Sequence, residues 1–162
     1  MRNLLDWRRL ALLWLACATL AVLALGASRW FGLYVNVTRS LPGTLYLVDK
    51  RATHPNRGDT VALSWQGGYG YQPGAVLLKK VYGLSGDMIE HDARLVKVSG
   101  RPVATALETS ARGTILQIVA PGVVPAQHVF VATPTVDGFD SRYAIFGTQA
   151  AQHILGKAYE LF

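Results

Sequence analysis

The hydrophobic and polar positions divide the chain into two unlike parts. Residues 10–28, LALLWLACATLAVLALGAS, carry no charge and lie between Arg8-Arg9 and Arg29. A helix of that length spans roughly 28 Å at 1.5 Å per residue, close to the bilayer's hydrocarbon thickness of about 30 Å. The run therefore predicts a transmembrane anchor. Beyond Ser28 no segment has a long apolar period of 3.6 residues flanked by helix caps. Short β-like runs take over at 44–48, 60–65, 75–82, 114–119 and 128–133, with a hairpin formed by 95–98 and 101–103 around Ser99-Gly100. Turn-rich stretches separate them, including 49–59 with Pro55, Asn56 and Gly58, and 67–74 with its glycines. This pattern predicts a mostly β fold: a coiled or partly closed antiparallel sheet domain behind one N-terminal helix.

At 162 residues the chain has room for one modest domain after the anchor. The expected division is 1–9 as a cytoplasmic N-terminus, 10–28 as the membrane anchor and 29–162 as a periplasmic domain. Arg2, Arg8 and Arg9 outweigh Asp6 on the short N-terminal side, and the positive-inside tendency keeps that side in the cytoplasm of a bacterial inner membrane. Trp30, Phe31 and Tyr34 follow at once, as expected of rings at headgroup level. A cleaved signal peptide is the alternative, with small residues at Ala24-Leu25-Gly26-Ala27, but the apolar run exceeds the usual core of about 7 to 15 residues. A lipoprotein reading through Cys17 fails because no leucine stands three residues before it.

The formal charge of +6 and pI near 9.7 raise the question of nucleic acid. The basic residues are scattered in clusters no longer than two, a pattern that fits anionic lipid headgroups and not a nucleic-acid partner. One cysteine permits no internal disulfide. His54, His91, His128 and His153 lack ligand spacing such as His-Glu-x-x-His, and no Gly-x-Ser-x-Gly elbow is present, so neither a metal, a cofactor nor a histidine triad is expected.

Candidate chemistry centres on Asn36-Val-Thr-Arg-Ser-Leu-Pro-Gly-Thr-Leu-Tyr46, which presents Ser40 on a polar turn. A serine hydroxyl is a weak nucleophile and needs a base. The run 75–82, AVLLKKVY, offers one. In a strand Lys79 shares a face with Leu77 and Val81 while Lys80 shares one with Leu78 and Tyr82, so one of the two lysines faces the more buried side. An ammonium in apolar surroundings loses solvation, and its pKa falls from about 10.4 toward values that permit proton acceptance at neutral pH. The structural alternative is an edge-strand lysine that deters aggregation. The glycine-rich stretch 67–74 lacks the pattern of a phosphate cradle; it reads as a hairpin connection or, through Tyr69 and Tyr71, as a membrane-dipping element.

With Ser40, the run Lys79-Lys-Val-Tyr-Gly-Leu-Ser-Gly-Asp87 and the run Asp140-Ser-Arg-Tyr143 followed by Gly147 in order, the chain resembles the type I signal peptidase family. That family consists of membrane-anchored serine peptidases with a Ser/Lys dyad on an all-β scaffold. The resemblance covers most of residues 36–147. It implies Ser40 as nucleophile and Lys79 as general base, with the Thr38 hydroxyl and the Ser40 backbone N–H holding the oxyanion. Asp140 and Arg142 are implied as a supporting ion pair, a turn with a surface salt bridge being the alternative. Lys80 takes a place where relatives usually have arginine. Pro42 comes one residue sooner than in ordinary members, and Ala132-Thr-Pro-Thr-Val136 replaces the usual Gly-Asp-Asn-Arg. Asn36-x-Thr38-x-Ser40-x-Pro42 before Leu45-Tyr46 is more similar to the TraF branch, the signal peptidases of conjugative transfer systems. The implied partners are an exported precursor or pilin with small side chains before the cut, the lipid bilayer, and components of a conjugation or type IV secretion system. Many relatives also have a serine two residues before the Asp of Asp-Ser-Arg-Tyr, touching the lysine. This chain has Gly138 there, so Lys79 must take its orientation from elsewhere. The competing classes are a general signal peptidase, a non-catalytic membrane-anchored scaffold, and a self-cleaving Ser/Lys regulator of the LexA type, against which the anchor argues.

Overall fold

The computed structural model describes the backbone of residues 3–162 and side chains from residue 7 onward. Arg2 and the side chain of Asp6, used in the charge argument, lie outside the described residues. Helix α1 (Asn3–Ser28) begins earlier than the uncharged run. Its segment Trp7–Ser28 is long and apolar enough to cross a membrane, and none of that segment is buried against the rest of the protein. An apolar helix with no protein surface to cover it needs another apolar medium.

Eleven strands follow: β1 (Phe31–Val35), β2 (Leu45–Asp49), β3 (Thr60–Ser64), β4 (Val76–Gly83), β5 (Met88–Asp92), β6 (Leu95–Val98), β7 (Arg101–Thr105), β8 (Gly122–Val123), β9 (His128–Ala132), β10 (Gln149–Ala150) and β11 (Ile154–Glu160). They form a seven-stranded sheet in the order β1-β2-β11-β3-β4-β9-β10 and a four-stranded sheet in the order β7-β6-β5-β8. The paired strands run antiparallel, β4 with β9 included. The fold is therefore the expected one, mostly β behind one apolar helix.

Strand β9 shows how the two sheets share a core. Val129 and Val131 pack with Val61, Leu63 and Val81, whereas Phe130 and Ala132 pack with Ile89, Val96 and Val98 of the smaller sheet. Alternation along one strand thus places its side chains in two cores, and four of its five residues are buried. Strand β4, next to β9 in the sheet, carries the lysine pair, Lys79 buried and Lys80 exposed.

Two expectations need correction. Residues 114–119 form isolated bridges, Thr109 with Ile115 and Ile118 with Tyr143, and no strand. The residues they bury, Leu116 and Val119, are three apart, a spacing that a strand of period two cannot put on one face. Phe31 and Tyr34 belong to strand β1, which pairs with β2 along its whole length. Tyr69 and Tyr71 stack against Phe139 at 4.5 and 5.7 Å between ring centroids, so the glycine-rich connection is packed onto the protein through its aromatic rings.

Candidate active site

The turn that carries Ser40 is tied at several points. The Asn36 side-chain amide, itself buried, donates to the carbonyls of Leu41 at 2.8 Å and Gly43 at 3.1 Å. The Tyr46 hydroxyl donates to the Pro42 carbonyl. Leu41 is buried among Tyr46, Val48 and Leu78. Between these ties Arg39 adopts φ +49°, a left-handed conformation that a non-glycine residue holds only where its surroundings impose it. Ser40 follows directly, 9 % exposed, and its Oγ accepts a hydrogen bond from Thr38 Oγ1 at 3.2 Å. Asn36 is thus a positioning residue that the sequence registered only as part of a motif.

Strand β4 delivers Lys79. The side chain is 4 % exposed while its neighbour Lys80 is exposed, and Val61 of β3 lies directly across from it. It leaves the sheet on the face shared with Leu77 and Val81, which pack in one core. The edge-strand alternative does not hold, because β4 is flanked by β3 and β9. Burial pushes the Lys79 ammonium down to about 8; Asp140 pulls it back up and Arg142 pushes it further down. Ser40, Thr38 and Lys79 line one cavity of about 300 Å³, together with Tyr71, Leu77 and Phe139. The aromatic wall continues past Phe139, which meets Trp65 edge-on at 5.3 Å and Phe146 at 5.0 Å.

Asp140 and Arg142 form a fully buried pair and not a surface bridge. Arg142 Nε and Nη2 donate to Asp140 Oδ1 and Oδ2, each at 2.8 Å. The remaining guanidinium hydrogens reach the carbonyls of Thr133 at 2.7 Å and of Thr105 and Val136 at 3.2 Å. Asp140 Oδ2 also accepts from the Thr133 backbone N–H at 2.9 Å and from Thr133 Oγ1 at 3.0 Å. Every lone pair and N–H that such a buried pair exposes must be satisfied, and here the pair ties the end of β9 to the end of β7 and to residues 136–142. The Asp87 turn is also structural: Asp87 Oδ2 accepts from Leu84 N and Arg57 Nη2 at 2.6 Å, and Oδ1 from Ser99 Oγ at 2.9 Å. Among the described residues no group of three or more His, Cys, Asp and Glu side chains could hold a metal ion.

Thr133, 0 % exposed, was not singled out from the sequence. It follows directly after β9 in a Thr-Pro-Thr stretch, and only the fold brings its hydroxyl to Asp140.

The family described as signal peptidase, peptidase S26, matches residues 5–162. A protein of Sinorhizobium fredii described as a probable conjugal transfer protein TraF is 33 % identical, over 93 % of this chain and 88 % of its own length. The conjugal transfer protein TraF of Agrobacterium fabrum is 34 % identical over 81 % and 82 % respectively. A crystal structure of a signal peptidase I from Enterococcus faecalis aligns with 65 % of this chain and 97 % of its own, at TM-score 0.42 and 19 % identity. With a family match that begins inside the apolar helix and runs to the last residue, the chain belongs to the peptidase S26 signal peptidase family.

Proposed function

We propose that this protein is a membrane-anchored serine endopeptidase that matures an exported precursor of a conjugative transfer system, a pilin in particular, with Ser40 as nucleophile and Lys79 as general base. The observation that carries the reading is the shared cavity: Ser40 opens onto the same space as a lysine whose burial pushes its pKa down to about 8. A neutral amine there can accept a proton that an ordinary surface lysine cannot. The names of the two conjugal transfer relatives support the conjugative context.

The precursor lies extended along the cavity, with a small side chain before the cut. Ser40 Oγ forms a bond to the scissile carbonyl carbon while its proton passes to Lys79 Nζ. The oxyanion is held by the Ser40 backbone N–H and the Thr38 hydroxyl, already 3.2 Å from Ser40 Oγ. Removing one such donor typically costs about 100- to 1000-fold in rate. The C–N bond then breaks, and Lys79 returns the proton to the leaving amine. Water, or the amine at the other end of the same precursor, attacks the ester and frees Ser40; the second route gives a cyclic product. Asp140 and Arg142 hold the backbone around Lys79 and take no proton. The same reading puts the anchor in a bacterial inner membrane and residues 29–162 in the periplasm.

Co-expression with candidate pilin and exported precursors, followed by intact-mass analysis, tests this. Wild type is expected to give a cut product that Ser40→Ala and Lys79→Ala do not give, while Lys80→Ala, on the exposed side of β4, keeps measurable activity. A product lighter by one further water marks cyclisation. Unchanged precursor masses in all strains, with folded and membrane-bound protein, would favour a scaffold over a peptidase.

A further inference from the structure

Gly138 stands where many type I signal peptidases carry the serine that touches the lysine. Its φ lies in the range open to any residue, so the backbone does not require glycine there. Space does. A Cβ at 138 would lie 2.0 Å from Thr133 Oγ1, 2.9 Å from Asp140 Oδ2 and 3.1 Å from Arg142 Nη2. The volume that a side chain at 138 would take is already filled by the Thr133 hydroxyl.

Lys80 pairs with Ala132 and Val81 with Val131, and Thr133 follows directly after the last residue of β9. Continued by one step, the same register sets Thr133 opposite Lys79, on the face where Val81 and Val131 pack in one core; Asp140, whose carboxylate the Thr133 hydroxyl bonds, acts on the charge of Lys79. A threonine hydroxyl has one proton and two acceptor lone pairs. The proton is committed to Asp140 Oδ2 at 3.0 Å, and Thr135 Oγ1 at 3.2 Å takes one lone pair as donor. The other lone pair remains for an N–H.

Granted the Ser40/Lys79 reading, we infer that Thr133 is a positioning residue: its Oγ1 accepts a hydrogen bond from Lys79 Nζ in the reacting enzyme and so aims the nitrogen lone pair at Ser40 Oγ. The residue directly after strand β9 supplies the hydroxyl that position 138 cannot. No bond to Thr133 is made or broken in the reaction; Asp140 fixes the direction in which its lone pair points.

The test uses the full chain in detergent micelles and a quenched fluorogenic peptide with alanine before the cut. Thr133→Val keeps the shape and removes the hydroxyl. It is expected to lower kcat about 100-fold with KM within twofold, the size of effect that a misplaced catalytic group produces. Thr133→Ser is expected to stay within a few-fold of wild type. The decisive comparison is Thr133→Ala against Thr133→Ala/Gly138→Ser: the second change returns a hydroxyl to the vacated space and is expected to recover kcat about tenfold, a gain that a merely structural threonine would not give. Should Thr133→Val not fold, this pair decides alone. Ser40-dependent cleavage with Thr133→Val at wild-type kcat, or a double variant no better than Thr133→Ala, overturns the inference and leaves the peptidase intact. A peptide left uncut, or cut equally by Ser40→Ala, overturns both.

Discussion

At the scale of single residues, Lys79 carries a cost as well as the role proposed for it. Burial lowers its pKa from 10.5 to about 8, which corresponds to about 3 kcal/mol spent on holding an ammonium out of water. Because the folded chain binds this proton less tightly than the unfolded chain, the cost is fully present below about pH 8. It shrinks as pH rises and vanishes above the unfolded value of 10.5. Lys79→Met is therefore expected to exceed wild type in stability by about 3 kcal/mol at pH 7 and to lose that advantage by pH 10.5, as read from urea unfolding at both values. Equal stability at pH 7 would mean that the ammonium is solvated. The same pKa sets the rate: kcat/KM is expected to rise about tenfold between pH 7 and pH 9 as the neutral amine fraction grows, and a flat profile over that range would remove Lys79 as the base. Strand alternation reduces the lysine pair to one buried member, and this much is legible in the sequence. Which member it is depends on the strands to either side. The role inferred for Thr133 is less legible still, since it rests on the pairing of β4 with β9, strands some fifty residues apart in the chain.

At the scale of elements, the central strands were readable and the closing one was not. Strands β3 and β9 are largely apolar runs between turn residues, and their burial on both faces agrees with their local preference; β4 is apolar apart from its lysine pair. Strand β11 has a glycine and a lysine in its middle, which lowers its local strand preference. It forms because it completes the sheet between β2 and β3. Gly156 is what lets it fit. The pairing shifts between Ile154 and Gly156, and a Cβ at 156 would lie 2.2 Å from the Asp49 carbonyl oxygen and 3.0 Å from Lys50 Cα, atoms of the backbone that cannot give way separately. Gly156→Ala is expected to cost about 3 kcal/mol, as forced overpacking does. Gly58→Ala is the control: its Cβ would meet open space, and only the left-handed φ of +91° opposes it, at about 1 kcal/mol. Urea midpoints of the two variants should differ in that order. The reverse order would show that β11 tolerates a side chain at 156 and that the bulge is not the constraint.

At the scale of the whole molecule, the fold ties the large sheet to the anchor. The Trp30 backbone N–H still bonds to the Ala27 carbonyl at 3.0 Å, and β1 starts at the next residue. The Lys50 ammonium, beyond the end of β2, donates to the Ser28 carbonyl at 2.8 Å, which ties the sheet to the helix end. Along β1 and just past it Leu33, Val35 and Val37 are exposed, 60 % or more of each side chain's residue surface being open. Apolar side chains in a row, beside a helix that needs an apolar medium, suit a domain resting at the lipid surface. Under the proposed function, a precursor held in the same bilayer would reach the Ser40 cavity without leaving the membrane. Such a geometry works only if the domain is on the side to which precursors are exported, and the charges decide that side. Arg8 and Arg9 flank the apolar run at its N-terminal end, and Arg29 alone follows it directly, so the N-terminus is expected to stay in the cytoplasm. Alkaline phosphatase, which needs disulfides formed outside the cytoplasm, is expected to be active when fused after Phe162, and the activity is expected to fall when Arg8 and Arg9 are both replaced by glutamate. An inactive fusion on a folded, membrane-bound chain would put residues 29–162 in the cytoplasm, out of reach of an exported precursor, and the proposed peptidase would have no access to its substrate.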